Sequence, residues 1–129
     1  VRVPPDTYRD NLEAIARQCD AAEIPLVLVT APSSYATRGI PDYLVERNFV
    51  PDKQTAQSRH DAYVELTRQV AQEGDHLVLD LARDFADLEK PDEVFMTDGI
   101  HFQQAGLVLV TDRVVEFIRH KGLLGKSSE

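Results

Sequence analysis

Two short runs rich in valine and leucine constrain this chain more than anything else in it: Ile24-Pro25-Leu26-Val27-Leu28-Val29-Thr30 and His76-Leu77-Val78-Leu79-Asp80-Leu81. Each is nearly continuous in apolar residues instead of alternating, which suits a strand covered on both faces inside a parallel sheet. Parallel strands cannot be joined by a tight hairpin; they need a crossover, usually a helix. The flanking residues provide helices. Tyr8, Leu12, Ile15, Ala16, Cys19 and Ala22 recur at helical spacing before the first run, with Asp6 or Thr7 as the candidate cap. Between the runs, a helix is expected from Lys53 to Glu73, with Tyr63, Leu66, Val70 and Ala71 inward and Gly74-Asp75 as its stop. A last helix from Gln103 to Lys121 turns Leu107, Val110, Val114, Phe117 and Ile118 to the core and ends at Gly122. The order helix–strand–helix–strand–helix is that of a doubly wound α/β architecture.

A chain of 129 residues suffices for one domain and not for two, so 1–129 reads as a single α/β domain with 124–129 as a flexible tail. Two parallel strands leave edges and apolar faces uncovered. Further strands are therefore expected, either from a segment before Val1 or from a partner chain. Two stretches are irregular, 33–52 with Gly39, Pro41 and Pro51, and 82–97 with Pro91. One or two helical turns are expected after Pro41. The first stretch reads equally well as a lid or binding loop and as a solvated connector.

The net charge of −8 disfavours nucleic acid, whose phosphates reward clustered Lys and Arg. The one local basic gathering, Arg119-His120-Lys121, complements the dipole at a helix end. The single cysteine, Cys19, lies on the apolar side of its helix; it excludes an internal disulfide and a multi-cysteine metal site. The apolar runs fall far short of the roughly 20 residues a membrane span needs. Asp80, Asp84 and Asp87 read as solvated or capping, His60 as a surface or capping residue and His76 as a turn residue. No His and carboxylate set has the spacing of a helical zinc site, so no metal is expected.

Chemistry concentrates in Phe95-Met96-Thr97-Asp98-Gly99-Ile100-His101-Phe102, just before the last helix and its Gly106. Asp98-Gly99 favours a tight turn, which brings the side chain three residues on back toward the Asp. A carboxylate on one ring nitrogen fixes the tautomer of His101 and leaves the other nitrogen to accept a proton. Asp98 and His101 are therefore the candidate general acid–base pair. The competing reading has Asp98 capping the turn and His101 capping the helix or packing against it. Both lie beyond the carboxyl end of the second expected strand, the edge where open α/β sheets hold their sites.

Asp98-x-x-His101 with Gly106, the two strands and the segment Arg59-His60-Asp61-Ala62-Tyr63 together resemble the closing half of an SGNH/GDSL-type hydrolase. The likeness runs from Val3 to Leu123. It implies a three-layer α/β/α, flavodoxin-like fold with a parallel sheet, present here as its carboxyl-terminal part. It also implies Asp98 and His101 as two members of a catalytic triad, no metal or organic cofactor, and a carbohydrate, lipid or other small-molecule ester as substrate. The family's Gly-Asp-Ser nucleophile block occurs nowhere in the chain. Its oxyanion-hole donors also lie upstream of the matched region, and Asn11 and Asn48 do not take their places. Ser33 and Ser34 end the first strand near the relay but lack a Gly-x-Ser-x-Gly elbow. They read as turn residues or as contributors to the substrate pocket. The resulting expectation is a serine ester hydrolase working through an acyl-enzyme, of which this chain alone is inactive or nearly so. The alternative is a non-catalytic α/β module that binds a carbohydrate or protein partner at the same loop edge.

Overall fold

Helix α1 (Pro5–Ala21) opens on a proline, whose missing N–H costs nothing in a first turn. In the computed structural model, which describes residues 3–123, Pro4 sits at the N-cap in place of Asp6 or Thr7, and no side chain caps the helix. The chain continues through β1 (Val27–Val29), α2 (Tyr35–Arg38), α3 (Asp42–Glu46), α4 (Lys53–Glu73), β2 (Leu77–Leu79), α5 (Leu81–Asp84), α6 (Pro91–Val94) and α7 (Gln104–His120). The expected tail at 124–129 lies outside the described residues.

The expected α/β order is present, with shorter strands. The first loses its opening residues because Ile24 turns its N–H back to Cys19 and Pro25 has none to give. The second ends at Leu79 because Asp80 caps α5 through the Arg83 N–H at 3.3 Å, which draws Leu81 into that helix. The strands pair in parallel, Val27 with Leu77, Leu28 with Val78 and Val29 with Leu79. Helix α4, the crossover between them, begins on Asp52, which accepts from the Thr55 N–H at 2.7 Å and the Thr55 hydroxyl at 2.6 Å.

Apolar residues sort into three packed groups. Leu28, Val70 and Ala71 are buried with Leu12, Leu26 and Val78 against them, which joins β1 and β2 to α1 and α4. Leu79, Leu81, Phe85, Val94 and Phe95 are buried with Val27, Leu109, Val114 and Phe117, which ties the strands to α7. The third group corrects one of the two readings of 33–52. Ile40, Val50 and Ala56 are buried with Tyr35, Leu44 and Val45, so this stretch carries its own small core and is not a solvated connector.

In the ladder, Leu77 donates to the Leu26 carbonyl and Thr30 to the Leu79 carbonyl. Backbone groups alternate along a parallel strand. Those of Val27 and Val29 therefore face away from β2, and Val29 is 47% exposed. Among the described residues no third strand pairs there. No helix among them is long and apolar enough to cross a membrane.

The long helices share one way of stopping. Behind α1, Glu23 takes φ 54° while Ile24 N–H reaches back to Cys19 O at 2.9 Å and Glu23 N–H to Asp20 O at 3.1 Å. Asp75 (φ 53°) does the same behind α4, and Gly122 (φ 64°) behind α7. In the second case the left-handed residue is Asp75, with Gly74 only flanking it. A left-handed backbone suits glycine and strains a residue with a Cβ. Glu23→Gly is thus expected to stabilise the fold by about 0.5–1 kcal/mol, after the entropic cost of glycine is subtracted. A rise in the urea midpoint at constant slope would show it; a fall would contradict it.

Candidate active site

The loop that carries the candidate pair is anchored by aromatic rings. Phe95 and Phe102 form an antiparallel bridge and lie tilted by 31° to one another at 5.3 Å between ring centroids, with Phe85 edge-on at about the same reach to both, 6.2 and 6.0 Å. Phe85 and Phe95 are 2% and 1% exposed, so the base of the loop belongs to the core. Inside it, Met96 N–H donates to His101 O at 2.8 Å and Gly99 N–H to Met96 O at 3.0 Å. Arg38 of α2 braces the outside through the Met96 carbonyl at 3.1 Å and the Asp92 carboxylate at 2.7 Å.

The turn at 98–101 is built around Asp98. Its Oδ1 accepts from the N–H groups of Ile100 and His101, both at 3.0 Å, and its Oδ2 contacts the ring Nδ1 of His101. Gly99 sits at φ 78°, where a Cβ would meet the Ser34 hydroxyl at 2.8 Å and the Tyr35 ring at 3.0 Å. Burial pushes the Asp98 carboxyl up, but the His101 N–H, the His101 ring and the Ile100 N–H outweigh it and leave the carboxyl below its ordinary value. An ionised Asp98 on Nδ1 keeps the ring proton there and leaves Nε2 as the acceptor. The imidazole is 71% exposed while Asp98 is 21% exposed. Among the described residues nothing bonds to Nε2, so the competing reading of a packed His101 does not describe the ring.

Beside this turn opens a cleft of about 680 Å³, lined by Asp98 and Ile100 on one side and by Tyr35, Tyr43, Phe49 and Tyr63 among others. Ser33 and Ser34 do not line it. Ser33 lines a separate cleft of about 320 Å³ with Gln57, Asp61 and Arg68. Ser34 is 2% exposed; its N–H donates to Gly99 O at 2.9 Å, and its hydroxyl reaches the same carbonyl at 3.5 Å. Ser34 thus touches the 98–101 turn from behind.

Three polar residues need more than their sequence reading. Of its two readings Asp80 takes the capping one, through the Arg83 N–H, and is not solvated: it is 13% exposed and accepts from Arg68 twice at 3.0 Å and from the Thr30 hydroxyl at 2.8 Å. Thr30, fully buried, takes the Ala82 N–H at 2.9 Å in return. Burial pushes the Asp80 carboxyl up, but Arg68, Thr30 and the Arg83 N–H together hold it below its ordinary value. Its contribution to stability is therefore present above the unfolded carboxylate range and is lost as pH falls through the lowered folded value. No spacing in the sequence announces this network, since its members lie just past β1, on α4 and just past β2. His60 is not a surface residue: it is 18% exposed, edge-on to Tyr35 at 5.5 Å, with both ring nitrogens buried and unbonded. Its Nδ1 stands 3.6 Å from Asp61, too far for a hydrogen bond. His76 is packed at the α4 stop, 9% exposed, and 3.9 Å from Asp20.

Among the described residues no group of His, Cys, Asp and Glu is arranged to hold a metal. No curated protein matches the chain. Its fold matches a crystal structure of the lipase/acylhydrolase from Enterococcus faecalis at TM-score 0.68 and 22% identity, over 94% of this chain and 54% of that one. The chain thus spans about half the length of that protein. Residues 1–107 match the GDSL-like lipase/acylhydrolase family model, which takes in both strands, the crossover helix and the turn carrying Asp98 and His101. With so much of its length accounted for, the chain belongs to the GDSL-like lipase/acylhydrolase family.

Proposed function

We propose that this chain carries the proton relay of a serine ester hydrolase. The observation behind the reading is the contact of Asp98 with His101 Nδ1, with Nε2 left open at an exposed ring. In the proposed reaction a serine oxygen attacks the ester carbonyl and its proton passes to Nε2. Asp98 stabilises the imidazolium so formed. The tetrahedral adduct then collapses, the C–O bond to the alcohol breaks, and Nε2 returns the proton to the departing oxygen. Water takes the serine's place in a second round and releases the acid.

The nucleophile and oxyanion donors come, in this proposal, from residues outside the 129, supplied by a preceding segment or by a partner chain. The outward-facing backbone of Val27 and Val29 supports a further strand there. The split of apolar residues between an α1–α4 group and an α7 group supports a three-layer arrangement. Ser34 serves the site by holding Gly99, and Ser33 borders it from the adjoining cleft; neither is the nucleophile.

A fluorophosphonate probe tests the reading on this chain and on a form that includes the residues encoded upstream of Val1. Labelling of the longer form alone, lost in His101→Ala, is the expected result. A longer form that resists the probe would point instead to a binding module.

A further inference from the structure

Arg59 sits on α4 with no acidic residue one helical turn to either side: Thr55 and Ala56 precede it, and Ala62 and Tyr63 follow. Among the described residues its guanidinium makes no hydrogen bond and no ion pair. Yet it lines the cleft of about 680 Å³ that borders Asp98. From this placement we propose that Arg59 is a specificity residue: it selects an ester that carries a carboxylate, and holds that carboxylate in the cleft while the ester bond lies at the relay. The proposal rests on the hydrolase reading and names the substrate class of that site.

A bare arginine is out of character for this chain, in which 22 acidic residues face 14 Lys and Arg. Cations on the same helix and on α2 are paired, Lys53 with Asp42, Arg68 with Asp80 and Arg38 with Asp92. Asp52 feels the charge of Arg59 through space, but both of its oxygens are held by Thr55.

Other polar groups of the cleft are committed. Tyr8 Oη pairs with the Thr67 hydroxyl at 2.9 Å, and Tyr63 Oη donates to the Val3 carbonyl. Asp98 is occupied by its own turn and by His101, and the nitrogens of His60 are sealed from solvent. The Tyr43 hydroxyl is different: among the described residues it bonds to nothing. The Arg47 guanidinium lies 6.0 Å from the centre of the Tyr43 ring, which brings a second positive charge near the cleft wall. A guanidinium fork matches the two oxygens of a carboxylate, and a phenol hydroxyl supplies one more donor. Ionised Asp98 repels a carboxylate from the turn, while Arg59 attracts it to α4. The two charges thus orient the substrate, with its acidic end at α4 and its ester toward His101.

The chain has no tryptophan, and all four of its tyrosines line this cleft, so intrinsic fluorescence reports on it directly. Titration with N-methylglutaramate, N-methylglutaramide and 5-amino-N-methylpentanamide is the test, and it needs no nucleophile. All three carry an amide in place of the ester; their far ends are anionic, neutral and cationic. N-methylglutaramate should change the emission saturably, with a midpoint at least about fivefold below that of the neutral diamide. The cationic compound should bind more weakly than either. Arg59→Gln should bring the acid and the diamide to the same midpoint with unchanged circular dichroism, since Arg59 is exposed. Arg59→Lys, which keeps the charge and loses the fork, should retain part of the preference. The proposal is overturned if the acid fails to saturate, if acid and diamide bind alike, or if the preference survives Arg59→Gln. Loss of the preference when the residues encoded upstream of Val1 are present overturns it too. Preference for the acid without fluorophosphonate labelling of the longer form would count against the hydrolase reading alone; labelling without the preference would count against the role of Arg59 alone.

Discussion

In the form that labels with a fluorophosphonate, His101→Ala is expected to lower kcat by about 10,000-fold or more, with KM changed little. The substitution removes the only group in the turn that can both take and return a proton. It spares the scaffold, because the ring is 71% exposed and the loop is held by Phe95, Phe102 and backbone bonds. A melting temperature near the parent's would accompany the loss. Asp98→Asn makes the companion measurement. Its amide oxygen can still accept from the Ile100 and His101 N–H groups, but it no longer presents an anion to Nδ1. A loss of similar size, about 10,000-fold, is expected from the wrong tautomer alone. Activity within tenfold of the parent in either variant would remove the relay from the mechanism.

Gly106→Ala should destabilise the protein by about 1–3 kcal/mol, the opposite of the usual outcome. In an exposed helix interior the change from glycine to alanine is worth up to about 1 kcal/mol of stabilisation. Here a Cβ would lie 2.4 Å from the Val94 carbonyl oxygen and 2.9 Å from the Phe102 ring. The first is backbone and cannot swing aside, so α7 and the 94–102 strap must separate. That strap holds Asp98 and His101, so labelling should fall along with stability. Denaturant unfolding decides the sign, and a gain in stability would show that the strap gives way freely.

How legible the molecule is in its sequence depends on whether a feature is local. Helix α4 is readable to the residue because Asp52 caps it within the same turn and Gly74-Asp75 stops it. The Asp98–His101 contact is readable because the turn and its side chains are neighbours in sequence. The strands read too long, since apolar runs do not reveal that Ile24 closes a helix or that Asp80 starts one. The packing of 33–52 escapes notice because Ile40, Val50 and Ala56 meet across irregular backbone with no period. Distance in sequence also hides the Thr30–Asp80–Arg68 network and the burial of His60. The cleft of tyrosines stays invisible for the same reason: Tyr8 and Tyr63 come together only when α1 packs on α4.

The outward backbone of Val27 and Val29 bears on how this chain behaves as a concentrated solution. A strand edge with no partner among the described residues invites a second molecule to complete it. With a net charge of −8, two molecules repel one another before their strands meet. That repulsion reaches about 10 Å at 0.1 M salt and only about 3 Å at 1 M. Colloidal behaviour is therefore set by ionic strength: dilute buffer keeps the molecules apart, and concentrated salt leaves the valine edge unguarded.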